Sequence, residues 1–297
     1  MIKTKLAKAI TVAIAGTALS MSASTTFAST TMYNTFTTTV STATDGWTRT
    51  FDNGTTSPGT ATGPESQGNK GTIVPWLGTS AGALPLGYTG SSHLNWAVQL
   101  TGSGDAATIS AADSLAKYGT AAEIDTGGGA WRDNSAPTTG WKHQTDIGLV
   151  TSNVAQNITL NLTTLGNLLP STFSKFGVTV FDGMDTSTAN YSHHGSWNNP
   201  VIAKPYTANN PFATTGLTNI GYSDNVDGVN GFTFAAEAGH IYSIYLGGVD
   251  FSKWNTGVDG YALNIKTTSP VPLPGAVWLF GSALAGFVGL RRRKLAV

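Results

Sequence analysis

Gly231–Ile265, GFTFAAEAGHIYSIYLGGVDFSKWNTGVDGYALNI, is the stretch that decides the fold. Apolar side chains alternate with polar or small ones across Gly231–Ala235 and again across Tyr261–Ile265, and Ile241–Leu246 between them is a further strand run. That period of two places one face of a strand inward and the other outward. The step Glu237-Ala238-Gly239 between the first two runs reads as a hairpin turn.

Working outward from there, the same period recurs upstream. His93–Leu100 alternates Leu94, Trp96, Val98 and Leu100 with polar neighbours, and Ile158, Leu160 and Leu162 alternate with Thr159 and Asn161. A further β region begins at Thr145–Val150, and a short strand is expected at Thr72–Val74. Phe176–Phe181 alternates Phe176, Val178 and Val180 against Gly177, Thr179 and Phe181, so both of its faces should be covered. Ser29–Thr44 is a Thr/Ser tract suited to an edge strand or an N-terminal arm. Ala111–Tyr118 is the one short helix expected in the body, with Asp113 near its start and Gly119 just past its end. Two stretches read as long loops, Asp52–Gly71 and the Asn/His/Pro-rich excursion Asp182–Leu217. Strands without intervening helices predict an all-β body, an antiparallel β-sandwich or jelly roll.

Composition agrees. The chain of 297 residues has no cysteine, so no disulfide framework holds it and the core must. The roughly 240 residues between the two end segments suffice for one sandwich-sized core. Seven of the 16 basic residues lie in those segments, at Lys3, Lys5, Lys8, Arg291, Arg292, Arg293 and Lys294, and none of the 16 acidic residues does. The body therefore holds 9 basic residues against 16 acidic, a net of about −7. Such a body repels nucleic acid, which is excluded as a partner, and repels anionic polysaccharide unless a cation bridges the two.

The end segments carry an address. Met1–Ala28 has three lysines, the apolar run Ala9–Leu19 and a small-residue stretch ending Thr26-Phe27-Ala28. This is the pattern of a secretory signal peptide; cleavage is expected after Ala28, with the body starting at Ser29. Signal peptidase and the general secretion machinery are the partners it implies. At the other end, Pro270–Val297 reads PVPLPGAVWLFGSALAGFVGLRRRKLAV. Val271-Pro272-Leu273-Pro274 is a proline motif that stays extended. The apolar run Ala276–Leu290 follows, then Arg291-Arg292-Arg293-Lys294. Counted from Leu273, the apolar part approaches the roughly 20 residues of a transmembrane helix, and the arginines can snorkel to lengthen it. Positive charge beyond it predicts a cytoplasmic tail with the body outside. The expected organisation is a signal peptide over 1–28, an extracellular domain over 29–269 and a sorting segment over 270–297.

Proline motif, short helix and basic cluster in this order resemble a PEP-CTERM sorting signal in a Val-Pro-Leu-Pro variant, with Leu273 where the family's name-giving motif has Glu. The resemblance covers the tail alone. It implies recognition by an exosortase, a membrane-embedded transpeptidase-like protease of Gram-negative bacteria with exopolysaccharide or biofilm loci. It also implies a transient inner-membrane anchor, followed by a place on the envelope surface or outside the cell.

The body offers weaker chemistry. Gly78-Thr79-Ser80-Ala81-Gly82 fits G-x-S-x-G, but Pro75, Pro85 and Gly87 oppose the strand–serine–helix context that a nucleophile elbow needs. His193 and His194, with Asp182 and Asp185 nearby, could form a transition-metal site in the excursion. Asp224, Asp227 and Asn230 lie in an acidic, Gly-bearing turn of the kind that can take calcium, though without EF-hand spacing; turn chemistry explains them equally well. Asp182, Asp185, Glu123 and Asp125 are the nearest approach to paired carboxylates. Trp131, Trp141, Trp197 and Trp254 are stacking candidates for sugar rings if exposed, and core tryptophans are the commoner reading for most of them. No catalytic residue and no resident cofactor is assigned. The expectation is a non-enzymatic surface or matrix protein, with a carbohydrate-binding module or secreted polysaccharide-active enzyme, and a metal-binding surface protein, as the alternatives.

Overall fold

Alternating runs become strands wherever the chain is described. The computed structural model describes residues 29–34, 48–50, 56–58, 76–90, 92, 94–133, 145–166, 173–187, 214–251 and 258–270. The signal segment, Ala28, Thr72–Val74, and the tail from Val271 onward lie outside these residues, so the two flanking helices expected there do too. Among the described residues no helix is long and apolar enough to cross a membrane.

The body is all-β, with two main sheets. The larger sheet runs β1 (Thr30–Tyr33), β4 (Trp96–Leu100), β8 (Asp146–Ser152), β13 (Ile241–Phe251), β10 (Phe176–Asp182) and β11 (Thr218–Val226), with the short β7 (Arg132–Asp133) also pairing β13. The smaller runs β12 (Phe232–Ala236), β9 (Gln156–Thr164), β14 (Val258–Thr268) and β5 (Ala106–Ile109), with β6 (Asp125–Gly127) also on β14. A separate pair is formed by β2 (Thr48–Thr50) and β3 (Thr56–Pro58).

Two expectations about pairing are corrected. The larger sheet is mixed, because β4 pairs β8 in parallel and β7 pairs β13 in parallel. A parallel pair needs a crossover connection, and the residues between β4 and β8 supply one that includes the helix. The expected hairpin across Glu237-Ala238-Gly239 is not one either. Strand β12 lies opposite β9 in the smaller sheet, whereas β13 lies between β8 and β10 in the larger. The turn carries the chain from one sheet to the other, so that Phe234 and Tyr242 face the same core and their rings meet 5.1 Å apart. Alternation marks which face is buried but leaves the partner strand open.

The sheets share one hydrophobic cluster. From the larger come Trp96, Val98, Val150, Val178, Val180, Ile244 and Leu246; from the smaller come Ile109, Ile158, Leu160, Leu162, Leu263 and Ile265, all buried. Burying each such side chain contributes about 2 kcal/mol. The larger sheet also has a covered outer face. Ala97, Ile147, Leu149, Phe181 and Tyr245 point into a second cluster, closed by Trp76, Tyr88, Leu94, Trp131 and Leu217 from loops. Double coverage accounts for the near-continuous apolar run of β10. Two indoles sit where strand glycines leave room: a Cβ on Gly148 would overlap Trp96, and one on Gly177 would overlap Trp131.

The helix α1 (Ala111–Tyr118) has the expected bounds. Ser110 caps it by accepting from the Asp113 amide, and Gly119 ends it in the left-handed conformation (φ 74°). Asp113 binds α1 to the first strand, accepting from the Tyr33 hydroxyl at 2.6 Å and from Thr31 Oγ1 at 3.1 Å.

Candidate functional site

The last strand ends in a lock. Thr267 donates to the carbonyl of Asp105 through both its amide (3.1 Å) and its hydroxyl (2.8 Å), and the hydroxyls of Ser103 and Ser269 share a bond of 2.6 Å. The Asp105 carboxylate shapes that loop by accepting from the amides of Thr101 (2.7 Å) and Gly102 (3.0 Å). Ser269 and Pro270 beyond the lock are exposed. The proline motif therefore begins directly after an anchored strand, with no folded element between them.

Of the acids singled out in the sequence, Asp182 and Asp185 go to different places. Asp182, at the end of β10, meets His240 Nδ1 at 3.2 Å, while His240 Nε2 faces Glu237 at 3.4 Å on the surface. Asp185 is buried and gathers three chain segments. It accepts from the Ser92 amide and hydroxyl (both 2.9 Å), from the Ser187 amide (2.8 Å) and from the Thr215 amide (3.3 Å). Tyr88 lies beside it and bonds Ser92. Backbone donors supplied to a buried carboxylate offset the loss of water. This is loop architecture.

Asp125 joins a group of acids that periodicity alone did not single out. Asp125 and Asp259 lie on adjacent residues of the β6–β14 ladder, where Gly260 stands opposite Asp125. Burial and then the charge of Asp259 push the Asp125 carboxyl up to about 7. Burial, then the charge of Asp125, hold the Asp146 carboxyl well above the usual range, against the lowering effect of a 2.6 Å bond from the Tyr261 hydroxyl. Tyr261 in turn accepts from Trp96 Nε1 at 2.9 Å. Trp96, Tyr261 and Asp146 thus form a buried polar chain through the core. The visible signal was an aspartate opening an otherwise apolar strand. Glu123 lies apart from the strands, flanked by the buried Ala122 and Ile124.

The remaining candidates are placed as follows. Trp131 is not available for stacking on sugars: it is fully buried, and its Nε1 donates to Thr179 Oγ1 at 3.0 Å. Gly177 explains this, since the missing side chain there makes the slot that the indole fills. Asp227 and Asn230 come together in a turn that closes on itself. Asp227 Oδ1 accepts from the amides of Val229 (2.8 Å) and Asn230 (2.7 Å), and Oδ2 accepts from Asn230 Nδ2 (2.9 Å). Those bonds, with Asn230 first, hold the Asp227 carboxyl below its ordinary value. Asp224 lies inside strand β11 instead of the turn. Among the described residues no three His, Cys, Asp or Glu side chains are grouped to hold a metal ion. Ser80 occupies a tight turn closed by the Ala83 amide on its carbonyl, with no α-helix after it, so the elbow geometry is missing. His193, His194, Trp141, Trp197 and Trp254 lie outside the described residues, as do Val271, Pro272, Leu273, Pro274, Arg291, Arg292, Arg293 and Lys294.

No curated protein matches the sequence. Among solved structures, CorA of Methylomicrobium album BG8, described as a surface-associated copper-binding protein, is similar over 58% of this chain and 98% of its own, at 13% identity and a TM-score of 0.33. PliG of Aeromonas hydrophila, a periplasmic inhibitor of g-type lysozyme, covers 57% of this chain and 96% of its own at 11% identity and a TM-score of 0.25. MopE of Methylococcus capsulatus, a secreted protein, covers 58% and 87% at 10% identity and a TM-score of 0.27. Likeness of this degree carries no functional argument. The tail is another matter: residues 270–294 match the PEP-CTERM protein-sorting motif, and this is a PEP-CTERM domain-containing protein, marked for export and for processing by an exosortase.

Proposed function

We propose that the chain is a non-enzymatic surface or extracellular-matrix protein, sorted by its tail and serving biofilm, floc or exopolysaccharide-associated architecture. The observation that carries this reading is the sorting motif at residues 270–294. The route begins with signal-peptide removal after Ala28 and passes through a transient inner-membrane anchor over the apolar run. Exosortase cleavage near Pro272–Pro274 then leaves the body on the envelope surface or outside the cell.

The described part of the body supports a structural role. Three of its acids are used by the fold: Asp185 ties loops together, Asp113 ties α1 to β1, and Asp105 fixes the exit of the last strand. The body is acidic overall, which favours solubility and keeps it off nucleic acid.

The test is deletion of Val271–Val297 in an exosortase-bearing host. The truncated chain should keep the melting temperature of the body, escape into the medium and be lost from the cell surface, as immunoblots of the fractions would show. Unchanged surface retention would overturn the sorting role.

A further inference from the structure

Both ends of the body leave it at one pole. Ser29 Oγ donates to the carbonyl of Ala106 at 2.7 Å, and Ala106 stands opposite Lys266 in the β5–β14 ladder. The first residue of the body therefore lies beside Ala106, which is itself one strand spacing, ~5 Å, from Lys266 of the last strand. Next to it, Ser269 is held on Ser103 and the sorting motif begins.

The same pole collects the connections around it. Leu100 and Ser152 are paired at the ends of β4 and β8, the Asn153 amide donates to Leu100, and the Gly239 amide donates to Ser152. The turn at 237–240, with Glu237, His240 and Asp182, is part of this pole. The far pole lies at the other end of β9, about 26 Å away at ~3.3 Å per residue. It carries the turn after β11, where Val229 is 89% exposed, and Leu165 at the end of β9, 44% exposed.

We infer that the pole formed by Ser29, the Ser103–Ser269 lock and the 237–240 turn is the membrane-facing end of the anchored precursor, and that the Val229 pole points away from the bilayer. The inference rests on the reading of Ala276–Leu290 as a membrane span. Six residues, 270–275, separate Ser269 from that run. Fully extended they reach about 20 Å, shorter than the body is long. The body cannot turn over on so short a tether. The signal peptide holds the precursor from Ser29 and the tail holds it from Pro270, so both anchors impose the same orientation. Export then requires no reorientation between loss of the first anchor and cleavage of the second. The apolar side chains exposed at the far pole, Val229 and Leu165, are the ones offered outward, and the pole at the bilayer presents Glu237, Asp182, His240 and Lys266.

The absence of cysteine makes this directly measurable. Ala238→Cys marks the near pole and Val229→Cys the far one; both parent residues are exposed. Each variant is made in the full chain and expressed in a Gram-negative host without an exosortase, which keeps the tail uncut. Opened cells are then treated with a bulky polyethylene-glycol maleimide. In the membrane fraction the Val229→Cys chain should react and the Ala238→Cys chain should be protected. With Val271–Val297 deleted, the two should react alike. Equal labelling in the membrane-bound chain, or faster labelling at Ala238→Cys, overturns the orientation. A full-length chain found only in the soluble fraction overturns the span itself, a failure distinguished by fractionation before any labelling.

Discussion

The body and the tail of this protein hold their information in different ways. In the tail, three chemical properties in a fixed order (prolines, an apolar run, four basic residues) suffice to specify an address, and the order can be read along the chain. In the body, the decisive relations are between residues far apart: Trp96 with Tyr261, Asp185 with Ser92, Thr267 with Asp105. The tail matches a family model while the body matches no curated protein. The difference teaches that a sorting motif can be read from local order along the chain, whereas the core of the body becomes visible only once distant residues are brought together.

If this division holds, changes in the body alter stability and leave sorting intact. The largest effect is expected at Gly177, whose missing side chain makes room for the Trp131 ring. Gly177→Ala should cost about 3 kcal/mol through overpacking, lowering the melting temperature by roughly 8 °C. The surviving folded fraction should still reach the surface. Loss of surface delivery without loss of stability would break the comparison.

Next comes pH. Asp125 sits at about 7 in the folded body against an ordinary 3.8, and Asp146 is raised in the same direction. A raised carboxyl means that the folded state holds the proton more tightly than the unfolded state. Its stabilising contribution is complete below the ordinary value and is lost as pH rises toward about 7. Between those limits the body should lose stability as the unfolded chain ionises Asp125 before the folded one does. Asp125→Asn should flatten that part of the profile, as thermal melts across the window would show. Parallel profiles for the two proteins would refute the buried-acid account.

The smallest effect is a gain. Ala81 is exposed in a left-handed turn at φ 52°, a conformation that costs an L-residue about 1–2 kcal/mol. Ala81→Gly should raise stability by about 0.5–1 kcal/mol once the greater freedom of glycine in the unfolded chain is subtracted. A decrease would show that Ala81 makes a contact worth more than the strain.

Local patterns made much of this legible. The bounds of α1 followed from Asp113 and Gly119, and the alternation in β9 and β14 marked their buried faces. The near-continuous apolar run of β10 announced cover on both sides. Pairing was beyond reach, because Phe232–Ala236 can bury the same face against β13 or against β9. Only the shared core decides between them. Which of the tryptophans enter the core was out of reach for a related reason: Trp131 is buried by a slot that a glycine 46 positions later opens. The Asp125–Asp146–Asp259 group joins residues from three strands and has no linear signature. Asp227 and Asn230, by contrast, were readable as turn formers, since their bonds are local.

The central claim is that the tail is an address to be removed from a self-sufficient body. Mass spectrometry of the mature protein from an exosortase-bearing host tests it most directly. The account predicts a chain beginning near Ser29 and ending within the proline motif near Pro272–Pro274, with the apolar run and the four basic residues gone. A mature chain that still ends in Arg291-Arg292-Arg293-Lys294-Leu295-Ala296-Val297 would contradict it.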